Sequence, residues 1–182
     1  MGSEPTLTVV MPNYNHAQYL PKSLKALLDR DRPPDELIVI DDGSTDDSWN
    51  VIQDFARQYP RLRPYRNERN LGVLATVDRG LELARGDYFY GAAADDYVRP
   101  GFIEKSMALV SRHPEAGLCC TIGDWQELES GLNWHVGVGM TDTPAYLSPR
   151  RMVALEKKGR LFIAGHTVIV KKSALFEVGK FQ

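Results

Sequence analysis

The sequence predicts an α/β protein built on a mainly parallel sheet with helices on both faces, in a single domain. Three observations predict it. Short apolar runs alternate with longer runs of helical period from Leu7 to Ile122, giving the order β-α-β-α-β-α-β-α-β. Those short runs are apolar throughout rather than alternating, as strands covered on both faces require. The 182 residues can bury a sizeable core, and 43% hydrophobic with 25% charged residues is an ordinary globular composition.

Each element has its own warrant. Strand Leu7 to Met11 is followed by a helix over Ala17 to Leu28, where Leu20, Leu24, Leu27 and Leu28 fall on one stripe. Pro33-Pro34 stops that helix, because proline lacks an N–H and restricts the residue before it. Strand Glu36 to Ile40 leads to a helix over Asp47 to Tyr59 with Val51, Ile52, Phe55 and Tyr59 as its apolar face. Ser44-Thr45-Asp46 supplies capping oxygens ahead of it. Strand Leu62 to Arg66 precedes a helix over Val73 to Arg85 that Gly86 ends, and strand Tyr88 to Ala92 precedes one over Phe102 to Arg112 that Pro100 opens. Strand Gly117 to Ile122 closes the regular part. Residues 125–144 are rich in glycine, hold Trp125 and Trp134, and predict loops with short antiparallel strands. A helix near Pro149 to Lys158, a strand near Thr167 to Val170 and a short helix from Ser173 to Val178 follow.

Several function classes fall away. Lys plus Arg number 22 against 24 Asp plus Glu, a net charge of −2, which lacks the basic footprint of a nucleic-acid binder. Uncharged apolar stretches such as Tyr88 to Ala94 are far below the roughly 20 residues of a membrane helix. The N-terminus has neither the basic start nor the apolar core of a secretory signal, and Gly2 with Thr6 matches the loose myristoylation pattern by chance. Cys119 and Cys120 are adjacent in an apolar run, which excludes a disulfide framework and fits a reducing, cytoplasmic compartment. There is no internal repeat.

In open α/β sheets ligands bind outside the carboxyl ends of the strands, so the residues just after each strand matter most. The first strand ends in Pro12-Asn13-Tyr14-Asn15-His16, not in the Gly-x-Gly-x-x-Gly turn of a dinucleotide enzyme. Tyr14 offers a flat ring and Asn15 an amide where a nucleobase could stack and bond; a plain polar turn accounts for the same loop. The second strand ends in Asp41-Asp42-Gly43. Adjacent carboxylates repel, so one is expected to face out of the sheet toward a base or ribose. After the fourth strand Ala92-Ala93-Ala94 leaves room beside Asp95-Asp96, a second acidic pair. Hard cations are held by one or two such carboxylates together with substrate phosphates. Helix capping ahead of Pro100 is the structural alternative.

Taken in order, Leu7 to Asn15, Glu36 to Asp46, Asn70-Leu71-Gly72 and Asp95-Asp96 with Pro100 resemble the family 2 inverting glycosyltransferases over nearly the whole chain. The resemblance implies a GT-A fold, a nucleoside diphosphate sugar donor, usually a uridine diphosphate sugar, and a divalent metal, Mg²⁺ or Mn²⁺. It implies that Tyr14 stacks on the base, that Asp42 reads its ring edge beside Asp41, and that Pro12 and Asn15 support the same loop. Asn70 and Gly72 match a loop near the donor, Ala94, Asp95 and Asp96 the diphosphate side, and Asp95 the metal ligand. Ala93 departs from the family's Asp-x-Asp signature, and Thr76 stands where many relatives carry arginine. Residues 1–123 correspond to the nucleotide-sugar half and 124–182 to an incomplete acceptor half. The family's catalytic base follows a Gly-Gly-Phe-Asp-like turn matched by Val178 to Gln182, so it is expected beyond Gln182, and the chain reads as an N-terminal fragment.

The implied partners are the donor and a carbohydrate or lipid-linked acceptor, with polysaccharide biosynthesis at the cell envelope as the setting and the inner membrane face as a possible location. On the acceptor side Asp124 and His166 are weaker candidates, each with a packing or turn role as the plainer reading. Trp125 and Trp134 read as a sugar-stacking wall or as core. Arg150, Arg151, Lys157, Lys158 and Arg160 read as a solvated helix face, with attraction to an anionic membrane as the rival. A non-catalytic nucleotide-sugar-binding module is the alternative function. A receiver-type phosphoacceptor domain fails, because no acidic pair follows the first strand.

Overall fold

A computed structural model describes residues 4–127, 130–136, 141, 143–161 and 163–180. Strands β1 (Leu7–Asn13), β2 (Glu36–Asp41), β3 (Leu62–Arg66) and β4 (Tyr88–Gly91) run parallel, connected through α1 (Leu20–Leu28), α2 (Ser48–Gln58) and α3 (Val73–Leu83). Helix α4 (Phe102–Arg112) leads into β5 (Leu118–Cys120). A ribbon of β6 (Gly123–Gln126) and β7 (Asn133–Val136), then α5 (Pro149–Lys157), a 3-10 turn at Gly165–Thr167, β8 (Val168–Lys171) and α6 (Lys172–Glu177) complete the order. The six-stranded sheet reads β3-β2-β1-β4-β8-β5. The expected mainly parallel sheet is present; β8 inserts between β4 and β5, antiparallel to both.

Strand alternation sorts the core into two layers. Leu7, Val9 and Met11 of β1 and Leu37 and Val39 of β2 pack with Leu20, Leu24, Leu27, Ile52, Phe55, Ile103 and Met107 of α1, α2 and α4. On the other face Val10, Ile38 and Ile40 meet Leu81, Phe89 and Leu175, bringing in α3 and α6. Helix α3 lies so close to β1 that a Cβ on Gly80 would stand 2.2 Å from Val10 Cγ1. The leucine stripe of α1 is wholly buried, as its period requires.

Element ends moved by a few residues. Helix α1 begins at Leu20, with Pro21 in its first turn, and stops at Leu28 well before the proline pair. Helix α3 ends at Leu83 because Ala84 is already extended, so Gly86 does not cap it. Helix α4 starts after Gly101, whose left-handed backbone (φ 81°) makes the turn that Pro100 was expected to make. Thr167 belongs to the 3-10 turn rather than to β8. The antiparallel strands expected after Gly123 are β6 and β7.

At the amino ends of the strands Thr8 Oγ1 donates to Glu36 Oε2 at 2.7 Å, and Arg85 N reaches the same oxygen at 2.9 Å. Burial pushes the Glu36 pKa up, but the bonds from Arg85, Thr8 and Arg63 outweigh it and hold the group below the usual range. That network is structural. The carboxyl ends carry the rest of the polar chemistry.

Candidate functional site

The register Asn13↔Asp41 brings the last residues of β1 and β2 side by side. Asn13 Nδ2 donates to Asp41 Oδ1 at 3.2 Å and approaches Ser44 Oγ at 3.3 Å. Arg66 Nε stands 3.0 Å from Asp41 Oδ2 as an ion pair rather than an aligned hydrogen bond. Asp41 Oδ2 and Asn13 Oδ1 are therefore two buried acceptors without a bonded donor. Such groups call for an explanation, since nearly all buried polar atoms are satisfied.

Neither carboxylate of the 41–42 pair faces out of the sheet: Asp41 is 0% and Asp42 3% exposed. That corrects the expectation from repulsion alone. Internal donors, not solvent, relieve the pair. Asp42 Oδ1 accepts from Asn67 Nδ2 at 2.6 Å and Leu71 N at 2.9 Å, and Oδ2 from Gly72 N at 2.9 Å. Burial pushes the Asp42 pKa up, yet the bonds from Asn67, Leu71, Gly72 and Thr76 prevail and lower it. Asn70 Oδ1 also accepts from Gly72 N at 2.9 Å. Gly43 permits the approach: its φ is +72°, and a Cβ there would lie 2.7 Å from the carbonyl carbon of Arg69.

The 12–16 segment leans on the same turn. Asn15 Oδ1 accepts from Thr45 N at 2.8 Å, and Asn15 N donates to Ser44 Oγ at 2.9 Å. Its amide oxygen is thus engaged by the turn and supports the loop. Tyr14, beside it, is 42% exposed and free to stack, while Pro12 remains paired with Ile40 inside the sheet. Asp46 accepts from Ala17 N and Ser48 N, each at 3.0 Å, and so ties the 12–17 segment to the start of α2, whose N-cap is Asp47 rather than one of the three expected residues.

Beyond β4, Ser23 of α1 anchors the second acidic pair. Its buried hydroxyl lies 2.7 Å from the Ala94 carbonyl and also contacts that of Asp96. Ala94 is buried, and Asp95 and Asp96 are exposed. Partial burial and the neighbouring Asp95 charge push the Asp96 pKa up, and His166 opposes them. Among the described residues no three His, Cys, Asp or Glu side chains gather around a cation position. Two adjacent exposed carboxylates fit a hard cation that takes its other ligands from phosphate oxygens, and do not fit a self-sufficient metal cage.

Of the weaker candidates, Asp124 is engaged by Arg99 and His135 on the β6–β7 ribbon. His166 accepts at its carbonyl from Tyr90 Oη at 3.1 Å and meets Trp125 edge-on. Arg150, Arg151, Lys157, Lys158 and Arg160 are all exposed. Both cysteines are free thiols whose pKa burial pushes up. Among the described residues no helix is long and apolar enough to cross a membrane. Asn13, Ser23, Arg66 and Asn67 escaped sequence reasoning; an asparagine ending an otherwise apolar strand was the available signal. A cavity of ≈ 260 Å³ lies between residues 29–32 and 98–104, and none of the expected donor residues lines it.

The model of "Glycosyl transferase family 2" matches residues 8–179. The uncharacterized glycosyltransferase YibD of Escherichia coli K12 is 31% identical over 134 residues, which are 74% of this chain and 38% of YibD. S. aureus TarS 1-349 in complex with UDP-GlcNAc superposes with a TM-score of 0.71 at 18% identity, over 95% of this chain and 47% of that one. The mannosyltransferase PcManGT of Pyrobaculum calidifontis, in complex with GDP-Man and Mn²⁺, gives a TM-score of 0.70 at 18% identity, over 99% and 48%. The fold is therefore the GT-A fold, and the chain spans less than half the length of these proteins.

Proposed function

This chain belongs to glycosyl transferase family 2, and on that premise we propose that it binds a nucleoside diphosphate sugar across the carboxyl ends of β1, β2 and β4. From there the sugar passes to an acceptor hydroxyl with inversion. The observation that carries this reading is a pair of buried acceptors beside an exposed Tyr14: Asn13 Oδ1, which no hydrogen bond reaches, and Asp41 Oδ2, which has the Arg66 ion pair as its one partner among the described residues. An N–H on the edge of a stacked pyrimidine would satisfy it. TarS with UDP-GlcNAc and PcManGT with GDP-Man support a nucleotide-sugar donor.

In this reading Asp41 with Asn13 takes the base edge in place of Asp42, whose oxygens already accept from Asn67, Leu71 and Gly72 and which instead positions the 67–72 loop against the nucleoside. Asp95 and Asp96 are the residues that would hold a divalent cation on the diphosphate. When bound, that cation neutralises the charge that grows on the departing diphosphate. The acceptor oxygen attacks the anomeric carbon as the bond to the diphosphate breaks on the opposite side, and the hydroxyl proton passes to a general base. Residues 1–123 form the donor half and residues 124–182 contribute to the acceptor half. The acceptor is a carbohydrate or a lipid-linked carbohydrate, and the site works on the cytoplasmic side of the envelope, where it meets its donor.

Calorimetric titration with uridine diphosphate tests the division of labour. Asp42→Ala leaves the 71–72 amides without an acceptor and is expected to lose nucleoside binding even without metal. Asp95→Ala is expected to lose mainly the enhancement by Mn²⁺. Equal losses in metal-free buffer would contradict the assignment. A second reading, a nucleotide-sugar-binding module without turnover, is favoured by Ala93 in place of the signature aspartate. Donor binding without sugar transfer by the natural full-length protein would select it.

A further inference from the structure

The β6–β7 ribbon forms a separate two-stranded sheet and takes no part in the donor rim. Its register pairs Trp125 with Trp134 and Gly123 with Val136, so both indoles share the face opposite Asp124 and His135. The rings are parallel to within 9° with centroids 6.1 Å apart. Rings in full face-to-face contact would stand about 3.5–4 Å apart, so this pair is offset. A cross-strand aromatic pair steadies the ribbon. It does not bury the rings: Trp125 is 51% and Trp134 47% exposed.

This face is seated against the reaction side. A Cβ on Gly123 would fall 2.7 Å from Thr167 Cγ2 and 2.9 Å from His166 Nε2, so the glycine lets the ribbon lie directly on the 165–167 turn. There His166 meets Trp125 edge-on, with centroids 6.1 Å apart and planes at 79°. The His166 carbonyl accepts from Tyr90 Oη of β4. The aromatic surface thus reaches a turn tied to β4, the strand that leads into the acidic pair. Its charge selects the occupant: residues 123–136 contain no Lys or Arg, and the one cation set against them among the described residues, Arg99, is paired with Asp124 on the face opposite the indoles. Such a face offers no cationic side chain of its own to anionic lipid headgroups or phosphate polymers. An uncharged sugar ring suits it, since one pyranose face is lined by C–H groups that stack on an aromatic face while its hydroxyls stay in water.

We propose that Trp125 and Trp134 form a stacking platform for an uncharged pyranose of the acceptor, with His166 at its inner edge. The inference rests on the transferase reading for the word acceptor, but its test is sugar binding, separate from donor binding. The probes are methyl glycosides of glucose, N-acetylglucosamine and mannose, with cellotetraose, chitotetraose and mannotetraose. Each is titrated by saturation-transfer NMR into the chain saturated with uridine diphosphate and Mn²⁺. The expected result is saturable binding of at least one oligosaccharide, with the strongest transfer to ring C–H protons. Trp125→Ala and Trp134→Ala should each weaken it by about tenfold, as truncation of a Trp anchor does, with uridine diphosphate affinity changed by less than about twofold. Trp134→Phe, which keeps a ring, should fall between.

No saturable response to any saccharide by a protein that binds uridine diphosphate overturns the proposal. Unchanged sugar affinity in both alanine variants does the same. Loss of uridine diphosphate affinity along with sugar affinity in the alanine and phenylalanine variants would make the indoles structural, and overturns it too. Binding to phosphatidylglycerol vesicles that depends on Trp125 and Trp134, without sugar binding, would assign the face to a membrane. Failure of the parent chain to bind uridine diphosphate speaks to the donor reading alone.

Discussion

Asp42 is a carboxylate at the rim of the sheet with its oxygens turned inward, onto Asn67 and the amides of Leu71 and Gly72. Its pKa lies below the ordinary aspartate value of 3.8 despite burial, because those donors favour the ionised form. A depressed folded-state pKa means stability that is present above the unfolded pKa and lost as pH falls through the folded one. Acid should therefore loosen the 67–72 loop below about pH 4, where unfolded aspartate begins to protonate. Amide exchange of Leu71 and Gly72 measured from pH 5 down to pH 3, corrected for intrinsic rates, should show falling protection. In Asp42→Asn that dependence should flatten. Ser23 makes a second case. Its hydroxyl ties α1 to the Ala94 and Asp96 carbonyls, so Ser23→Ala should cost about 1–2 kcal/mol, the loss of a buried hydrogen bond that leaves its partner unpaired. If Ser23 also positions the acidic pair, the variant loses part of the Mn²⁺ enhancement of nucleotide binding while metal-free binding holds. A purely structural role would leave that ratio unchanged.

At the scale of the element, the 41–46 turn depends on Gly43. A side chain there faces a left-handed φ of +72° and the Arg69 backbone 2.7 Å away. Gly43→Ala should destabilise the protein by at least about 1–2 kcal/mol, the cost of the left-handed region for an L-residue, with the clash added. Urea unfolding measures it, and an unchanged midpoint would contradict this account of the turn. The strands and helices before Gly123 were legible in the sequence because their periods differ and proline, glycine and capping residues punctuate them. Their ends were less so: α1 ends at Leu28 as its period predicts but starts at Leu20 rather than Ala17. The insertion of β8 between β4 and β5 was not legible, because direction and neighbour are set by tertiary packing and not by local pattern. The same holds within the site. The two acidic pairs announced its position, but which oxygens are already spent depends on residues about 30 positions away, such as Leu71 and Gly72 for Asp42.

At the scale of the molecule, the parallel half β3-β2-β1-β4 gathers residues 12–15, 41–46 and 94–96 on one edge, and the return through β8 sets His166 beside them. The net charge of −2 says nothing of this arrangement. What counts is that two acids are buried and internally paired while two others stay exposed on the same rim. The most direct measurement is a calorimetric titration of the chain with uridine diphosphate, with and without Mn²⁺. The account predicts binding in both conditions and tighter binding with the metal. No heat of binding in either condition, from protein shown to be folded, would contradict it.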